Sequence, residues 1–219
     1  MKTQPFKLKL APIVHIPINS IELEGELVIP PKAQGLVIFA HGSGSSRHSP
    51  RNKFVAQHLR HSSLATLLVD LLSEEEDSYY ESRFDIELLT ERLVTITDWA
   101  IHNEKTEHLA IGYFGASTGA AAAMKAAVIA DDVVRAVVSR GGRVDLAYEA
   151  VEKIKAPTLL IVGQKDEGVR QLNEEVFLKL KCHKELAEIP KATHLFEEPG
   201  TLERAAELAS AWFKEYLEG

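Results

Sequence analysis

Five stretches of this chain are apolar almost without interruption: Leu36–Ala40, Thr66–Asp70, Leu109–Gly115, Val134–Ser139 and Thr158–Val162. A strand with one wet face alternates polar and apolar residues, whereas a near-continuous run marks a strand covered on both faces. Segments of helical character separate the runs. Phe84–His102 sets Ile86, Leu89, Leu93, Ile96, Trp99 and Ala100 on one stripe, and Thr201–Leu217 does the same with Leu202, Ala206, Ala209, Phe213 and Tyr216. Pro50–His61 reads as a helix with Ser49 as its cap and Pro50 at its first position. Strand–helix–strand in repetition implies parallel pairing with helices on both faces of the sheet. The beginning differs. Phe6–Ile18 and Ile21–Ile29 alternate in character around a turn at Asn19-Ser20, as an antiparallel pair does. A further strand is expected at Glu185–Ile189. The chain shows no internal repeat and no break in composition, so a single α/β domain over residues 1–219 is expected.

Bulk properties narrow the function. The net charge of −7 disfavours a general binder of nucleic acid or anionic membrane, which needs clustered Lys and Arg. The one cysteine, Cys182, forms neither an internal disulfide nor a thiolate metal cluster. The start of the chain alternates lysine with apolar residues and lacks the apolar core of a secretory leader. No stretch is long and apolar enough to span a bilayer. These features lead to the expectation of a cytoplasmic protein. The acidic run Glu74–Asp77 reads as a solvated loop.

One junction stands out. The run ending at Gly115 passes into Ala116-Ser117-Thr118-Gly119 and then a row of alanines, Ala120–Ala123. In an open parallel sheet, chemistry gathers where strands end and loops enter helices. Turning sharply there strains the residue at the tip and crowds its neighbours, and glycine on either side relieves the crowding. Gly115-x-Ser117-x-Gly119 is the spacing of a nucleophile elbow, which lifts a serine oxygen clear of the sheet. It also sets the Thr118 N–H at a helix N-terminus, where negative charge is stabilised.

A serine hydroxyl needs a base, and the base needs a carboxylate to fix its tautomer. On this architecture the expected order is serine, acid, histidine. Asp166 follows the run at Thr158–Val162 through a glycine turn, with Glu167 as the alternative acid. His194 follows the expected strand at Glu185–Ile189, whereas His183 precedes it and belongs to the opposite edge of the sheet. The oxyanion of a tetrahedral intermediate requires two donors. Thr118 N–H is one. The second is expected from His41-Gly42-Ser43-Gly44, at Ser43 N–H, with Gly44 as the alternative and His41 shaping the loop.

These features together resemble the α/β-hydrolase superfamily, and within it the dienelactone hydrolase-like branch. The resemblance covers nearly the whole chain and rests on His41-Gly42-Ser43-Gly44, Gly115-x-Ser117-x-Gly119, Gly163-x-x-Asp166 and His194, in that order. It implies an α/β-hydrolase fold and a Ser117–Asp166–His194 hydrolase of esters, lactones or related acyl compounds, with no metal or organic cofactor. Dienelactone hydrolases proper carry cysteine as nucleophile. Ser117 stands there in this chain, which favours a broader esterase-like activity over dienelactone itself.

The space between Ser139 and Thr158 admits little more than one helix, expected at Asp145–Ile154, so no large cap domain and an open site for a small soluble acyl substrate are expected. Arg47 and Arg51 follow the oxyanion loop, and Arg140 and Arg143 follow a strand end. Arg47 and Arg140 are candidates for binding an anionic substrate group. Two other readings compete. Gly42-Ser43-Gly44 followed by Asp70 mimics the order of a dinucleotide site, but Arg47 stands where the third glycine belongs. A non-catalytic small-molecule binder or interaction protein on the same fold is the other.

Overall fold

The computed structural model describes residues 12–218. The elements in chain order are strand β1 (Ile13–Ile18), β2 (Ile21–Val28), β3 (Gly35–Ala40), helix α1 (Pro50–His61), β4 (Ala65–Val69), α2 (Glu74–Asp77), α3 (Ile86–His102) and β5 (Ala110–Ala116). Then follow α4 (Thr118–Ile129), β6 (Val134–Arg140), β7 (Thr158–Gly163), α5 (Glu167–Lys179), β8 (Lys184–Ile189) and α6 (Thr201–Leu217). The described strands form one sheet in the order β1-β2-β4-β3-β5-β6-β7-β8. From β4 through β8 the neighbours are parallel, while β1–β2 and β2–β4 are antiparallel. This is the mostly parallel sheet with an antiparallel N-terminal pair that the sequence pattern implies. The part of the first expected strand before Pro12 lies outside the described residues.

Every residue of β3, β4 and β7 is buried, and so is all of β5 beyond Ala110, as the apolar runs require. On one face, Ile38, Leu67, Tyr113 and Leu160 pack under α3 and α4. On the other, Phe39, Phe114, Val138 and Ile161 meet α1 and α6. The alanines of α4 make the first face close-fitting: Ala120–Ala123 are wholly buried, so this helix lies directly against the sheet. The Ser49 cap is present, its side chain accepting from Asn52 N–H, and Pro50 opens α1.

Two expectations need correction. Glu74–Asp77 is a single helical turn rather than a loop. Ser73 and Glu76 close a reciprocal capping box, and Glu76 also takes a hydrogen bond from Arg92. The Ser73-x-x-Glu76 spacing is the signature of such a cap. Asp145–Ile154 is not an α-helix but two 3-10 turns, Val144–Ala147 and Val151–Lys153. This connection runs from the carboxyl edge of β6 back to the amino edge of β7. A 3-10 turn advances about 2.0 Å per residue against about 1.5 Å for an α-helix, so it covers the return in fewer residues. The connection builds no cap over the carboxyl edge of the sheet. Among the described residues no helix is long and apolar enough to cross a membrane.

Candidate active site

Ser117 lies between β5 and α4 with φ 51° and ψ −123°. That is left-handed territory for a residue with a Cβ, and holding it there costs on the order of 1–3 kcal/mol. The surroundings enforce it. A Cβ on Gly119 would lie 2.3 Å from the Ala40 carbonyl oxygen, and one on Gly115 would lie 2.4 Å from Ala120 Cα. The two glycines therefore let α4 close onto β3 and β5, and the serine takes up the turn. Backbone bonds pin it from the next strand as well: Ser117 N–H donates to Arg140 O (3.3 Å), and Arg143 N–H donates to Ser117 O (3.0 Å).

Asp166 and His194 come from the neighbouring strands β7 and β8. Lys165 N–H donates to Ala192 O (2.9 Å) and Gln164 N–H to Ile189 O (3.0 Å), which zips the two following loops together. Across that seam His194 Nδ1 lies 2.6 Å from Asp166 Oδ2. Asp166 occupies the cap position of α5 but makes no side-chain cap bond, so its carboxylate serves the imidazole. With Nδ1–H given to the carboxylate, Nε2 is the free ring nitrogen. Thr193 is fastened in turn by Glu198, through its N–H (3.1 Å) and its hydroxyl (2.7 Å).

The imidazole borders the serine's support. A Cβ on Gly141 would lie 3.6 Å from His194 Cε1, and Gly141 sits in the Arg140–Arg143 segment that binds the Ser117 backbone. No hydrogen bond joins Ser117 Oγ to His194 among the described residues. In ligand-free enzymes such contacts are often long and tighten on substrate binding.

The loop after β3 makes a contact beyond those expected from the sequence. Ser43 N–H donates to Thr118 Oγ1 at 2.8 Å, tying the loop after β3 to the first residue of α4. A threonine directly after the serine was the available signal. His41 is buried, with Nδ1 3.0 Å from Gly42 O and Nε2 accepting from Leu71 N–H at 3.1 Å. Its pKa is pushed below the ordinary value by burial, so it is a neutral strut that joins the ends of β3 and β4. His183 stacks on Trp212 before β8, away from this edge.

The arginines divide. Arg47 is held by Asp70 and Glu24, and Asp70 also accepts from Arg47 N–H at 2.7 Å, so the carboxylate of the dinucleotide-like order is already engaged. Arg143 forms a two-pronged pair with Asp145. Arg51 lies 3.6 Å from Glu197. Arg140 is buried and has no carboxylate partner among the described residues. Also among them, no group of three or more His, Cys, Asp and Glu side chains is placed to hold a metal.

Comparison with known proteins places this geometry. Residues 25–218 match the dienelactone hydrolase family. The chain belongs to that family. A solved dienelactone hydrolase from Anabaena variabilis is 54% identical and superposes with a TM-score of 0.92, covering 94% of this chain and 97% of that one. A Mycobacterium tuberculosis protein provisionally named a phosphoribosyl transferase, found in two strains, is 50% identical over 206 residues. Those residues are 94% of this chain but 46% of the relative, so the chain spans about half the length of the curated relatives it matches. Est1E from Butyrivibrio proteoclasticus, also solved with ferulic acid bound, shares the fold at 19% identity and a TM-score of 0.79, over 93% of this chain and 98% of that one. A serine hydrolase without a lid from Xanthomonas campestris does so at 17% and 0.77, with 99% of each chain covered. This dienelactone hydrolase-family chain thus has an α/β-hydrolase fold.

Proposed function

We propose that this dienelactone hydrolase-family protein is a serine hydrolase that cleaves an ester, lactone or related acyl bond of a small molecule. The Asp166–His194 hydrogen bond carries the reading. It sits beside the turn that holds Ser117 in a strained backbone conformation. A buried helix cap requires neither arrangement.

In the proposed reaction, His194 Nε2 takes the Ser117 proton as Oγ attacks the acyl carbonyl carbon. Asp166 keeps the proton on Nδ1 and stabilises the imidazolium. Negative charge gathers on the carbonyl oxygen and is met by Thr118 N–H at the start of α4. Ser43 N–H is the second donor, shared between Thr118 Oγ1 and the oxyanion. The tetrahedral intermediate collapses as His194 returns the proton to the leaving alcohol, which leaves an acyl-serine. Water deprotonated by His194 then attacks the acyl carbon, and the acid departs as Ser117 regains its proton. The step needs no co-reactant beyond water. The name of Est1E and its ferulic acid complex support a small acid or its ester as the kind of substrate. So does the absence of a lid in the related fold.

The test is peptide mass spectrometry after exposure to a fluorophosphonate, with Ser117→Ala and His194→Ala alongside. A single adduct on Ser117 that requires His194 is expected. A folded protein that takes no adduct would overturn the reading and leave a binding protein on the same fold.

A further inference from the structure

The residue after Ser117 carries a hydroxyl whose surroundings differ from those of most other threonines in the chain. Thr118 opens α4 and is only 3% exposed. Its Oγ1 accepts from Ser43 N–H at 2.8 Å. A hydroxyl also has one proton of its own to give. Among the described residues the Thr118 hydroxyl is bonded only through the hydrogen bond it accepts.

Elsewhere that proton goes to main chain. Inside α3, Thr90, Thr95 and Thr97 donate to carbonyls one turn back, at 2.6, 2.9 and 2.8 Å. Thr106, Thr158 and Thr201 donate to the carbonyls of Ala100, Ala156 and Glu198. Thr118 lacks this outlet. Four residues back stands Phe114, in β5, whose backbone is paired with β3 and β6. The helix begins at Thr118 itself, so no helical carbonyl lies one turn behind it. A buried donor without an acceptor is unfavourable and uncommon.

Its position gives this proton a use. A Cβ on Gly42 would lie 2.9 Å from Ser117 Cβ and 3.7 Å from Ser117 Oγ, so the loop that carries Ser43 runs directly beside the serine. That loop is a closed turn, in which Ser45 N–H donates to Gly42 O at 3.1 Å and Gly44 sits at φ 67°. The turn fixes Ser43 N–H and, through it, the oxygen it binds. Ser117 Oγ makes no cap bond to α4. The Thr118 hydroxyl thus stands between the loop and the helix start, the two walls that border Ser117. An N–H given to its oxygen also makes a hydroxyl a stronger donor in turn.

We infer that the Thr118 hydroxyl is itself a catalytic group, donating a hydrogen bond to the acyl carbonyl oxygen as that oxygen gains charge. The inference rests on the hydrolase reading and adds a side-chain donor to the two amides. As Ser117 Oγ bonds to the acyl carbon, the carbonyl π pair moves onto oxygen and the Ser117 proton passes to His194. The Thr118 proton stays on Oγ1 throughout. It is shared with the oxyanion and let go when the carbonyl re-forms.

Hydrolysis of 4-nitrophenyl acetate by the whole chain tests this. Thr118→Val keeps the shape and removes the hydroxyl. Its kcat is expected to fall about a hundredfold, with KM changed less than about threefold. Thr118→Ser keeps the hydroxyl and should recover at least about tenfold over Thr118→Val. A valine variant with the parent's kcat overturns the inference. A raised kcat does so too, because the hydroxyl would then only withhold Ser43 N–H from the oxyanion. A serine variant as slow as the valine one assigns the loss to the methyl group and overturns it as well. The second measurement is inhibition by a phenethyl trifluoromethyl ketone. Ser117 Oγ adds to its carbonyl carbon and leaves a charged oxygen with no leaving group to expel. Its Ki should rise in Thr118→Val by about the factor by which kcat/KM falls, and an unchanged Ki overturns the inference. Should Thr118→Val lose its fold in thermal unfolding, Thr118→Ala carries both readouts. Should the parent leave the ester intact but take a fluorophosphonate on Ser117, the rate of labelling replaces kcat. A parent inert to both defeats the hydrolase reading itself, whereas a reactive parent with an indifferent hydroxyl defeats only this assignment.

Discussion

The two sides of the carboxyl edge are built differently. Ser117 is placed by backbone: a strained φ, two glycines in contact with neighbouring main chain, and a helix of buried alanines. Asp166 and His194 are placed by a seam between two loops and a single hydrogen bond between side chains. The first arrangement holds position through excluded volume, the second through polar contacts that each variant removes one at a time. Changes of volume or backbone strain on the serine side should therefore reach folding, and changes at Asp166 and His194 should reach only turnover.

The largest expected effect is Ser117→Ala. On the proposed mechanism kcat falls by about a million-fold. Thermal unfolding stays near that of the parent, because alanine inherits the same unfavourable φ. Asp166→Asn is next, with a loss of about ten-thousand-fold in kcat from the wrong imidazole tautomer. Its unfolding midpoint should barely move, since Asp166 makes no cap bond; a large drop in midpoint would break the comparison. Gly119→Ala acts on the serine side and should cost about 4 kcal/mol or more, because its Cβ would press on the Ala40 carbonyl. Denaturant titration checks it, and a variant as stable as the parent would show that the turn is not set by volume.

Ser117→Gly sharpens the same point in the opposite direction. It removes the activity but relieves the strained φ, so stability should rise by about 1 kcal/mol or more. The smallest effect is that of His41, which belongs to the serine side through the loop after β3. Burial holds its pKa below the ordinary 6.5, so the unfolded chain binds a proton there that the folded chain refuses. Its contribution to stability is complete above about pH 6.5 and declines as the pH falls below that value, by at most about 1.4 kcal/mol per pH unit. His41→Gln should flatten the fall in unfolding midpoint between pH 6.5 and 5.

The contrast also explains what could be read from the chain alone. The serine turn leaves its mark in residue types, because excluded volume demands glycine at fixed spacing and alanine after it. The parallel sheet is equally legible, since strands covered on both faces lose their alternation. Asp166 and His194, which the structure joins by a hydrogen bond, are singled out by chain order and strand context rather than by any local pattern. The arginines were not separable. Arg47 and Arg140 each follow a strand end, and only the packing shows Asp70 and Glu24 against one and aromatic rings against the other. The connection after β6 reads as a helix because its apolar residues, Val144, Ala147 and Val151, suit one, while the distance to be crossed favours the longer rise of 3-10 turns. The Thr118–Ser43 contact joins positions 75 apart in sequence, and the threonine after the serine is its one local trace.

The pairing of β8 has a further consequence for how such a chain comes to life. Among the described strands β8 lies at one edge of the sheet and pairs with β7 only, with Gly163 opposite Ile189 as the last pair of the register. His194 hangs five residues beyond that pair. A folding chain whose final edge strand has not yet docked, or has docked one residue out of step, already possesses its serine, its acid and most of its core, but no base within reach. On the proposed mechanism, a chain whose β8 has not docked in register carries no active nucleophile.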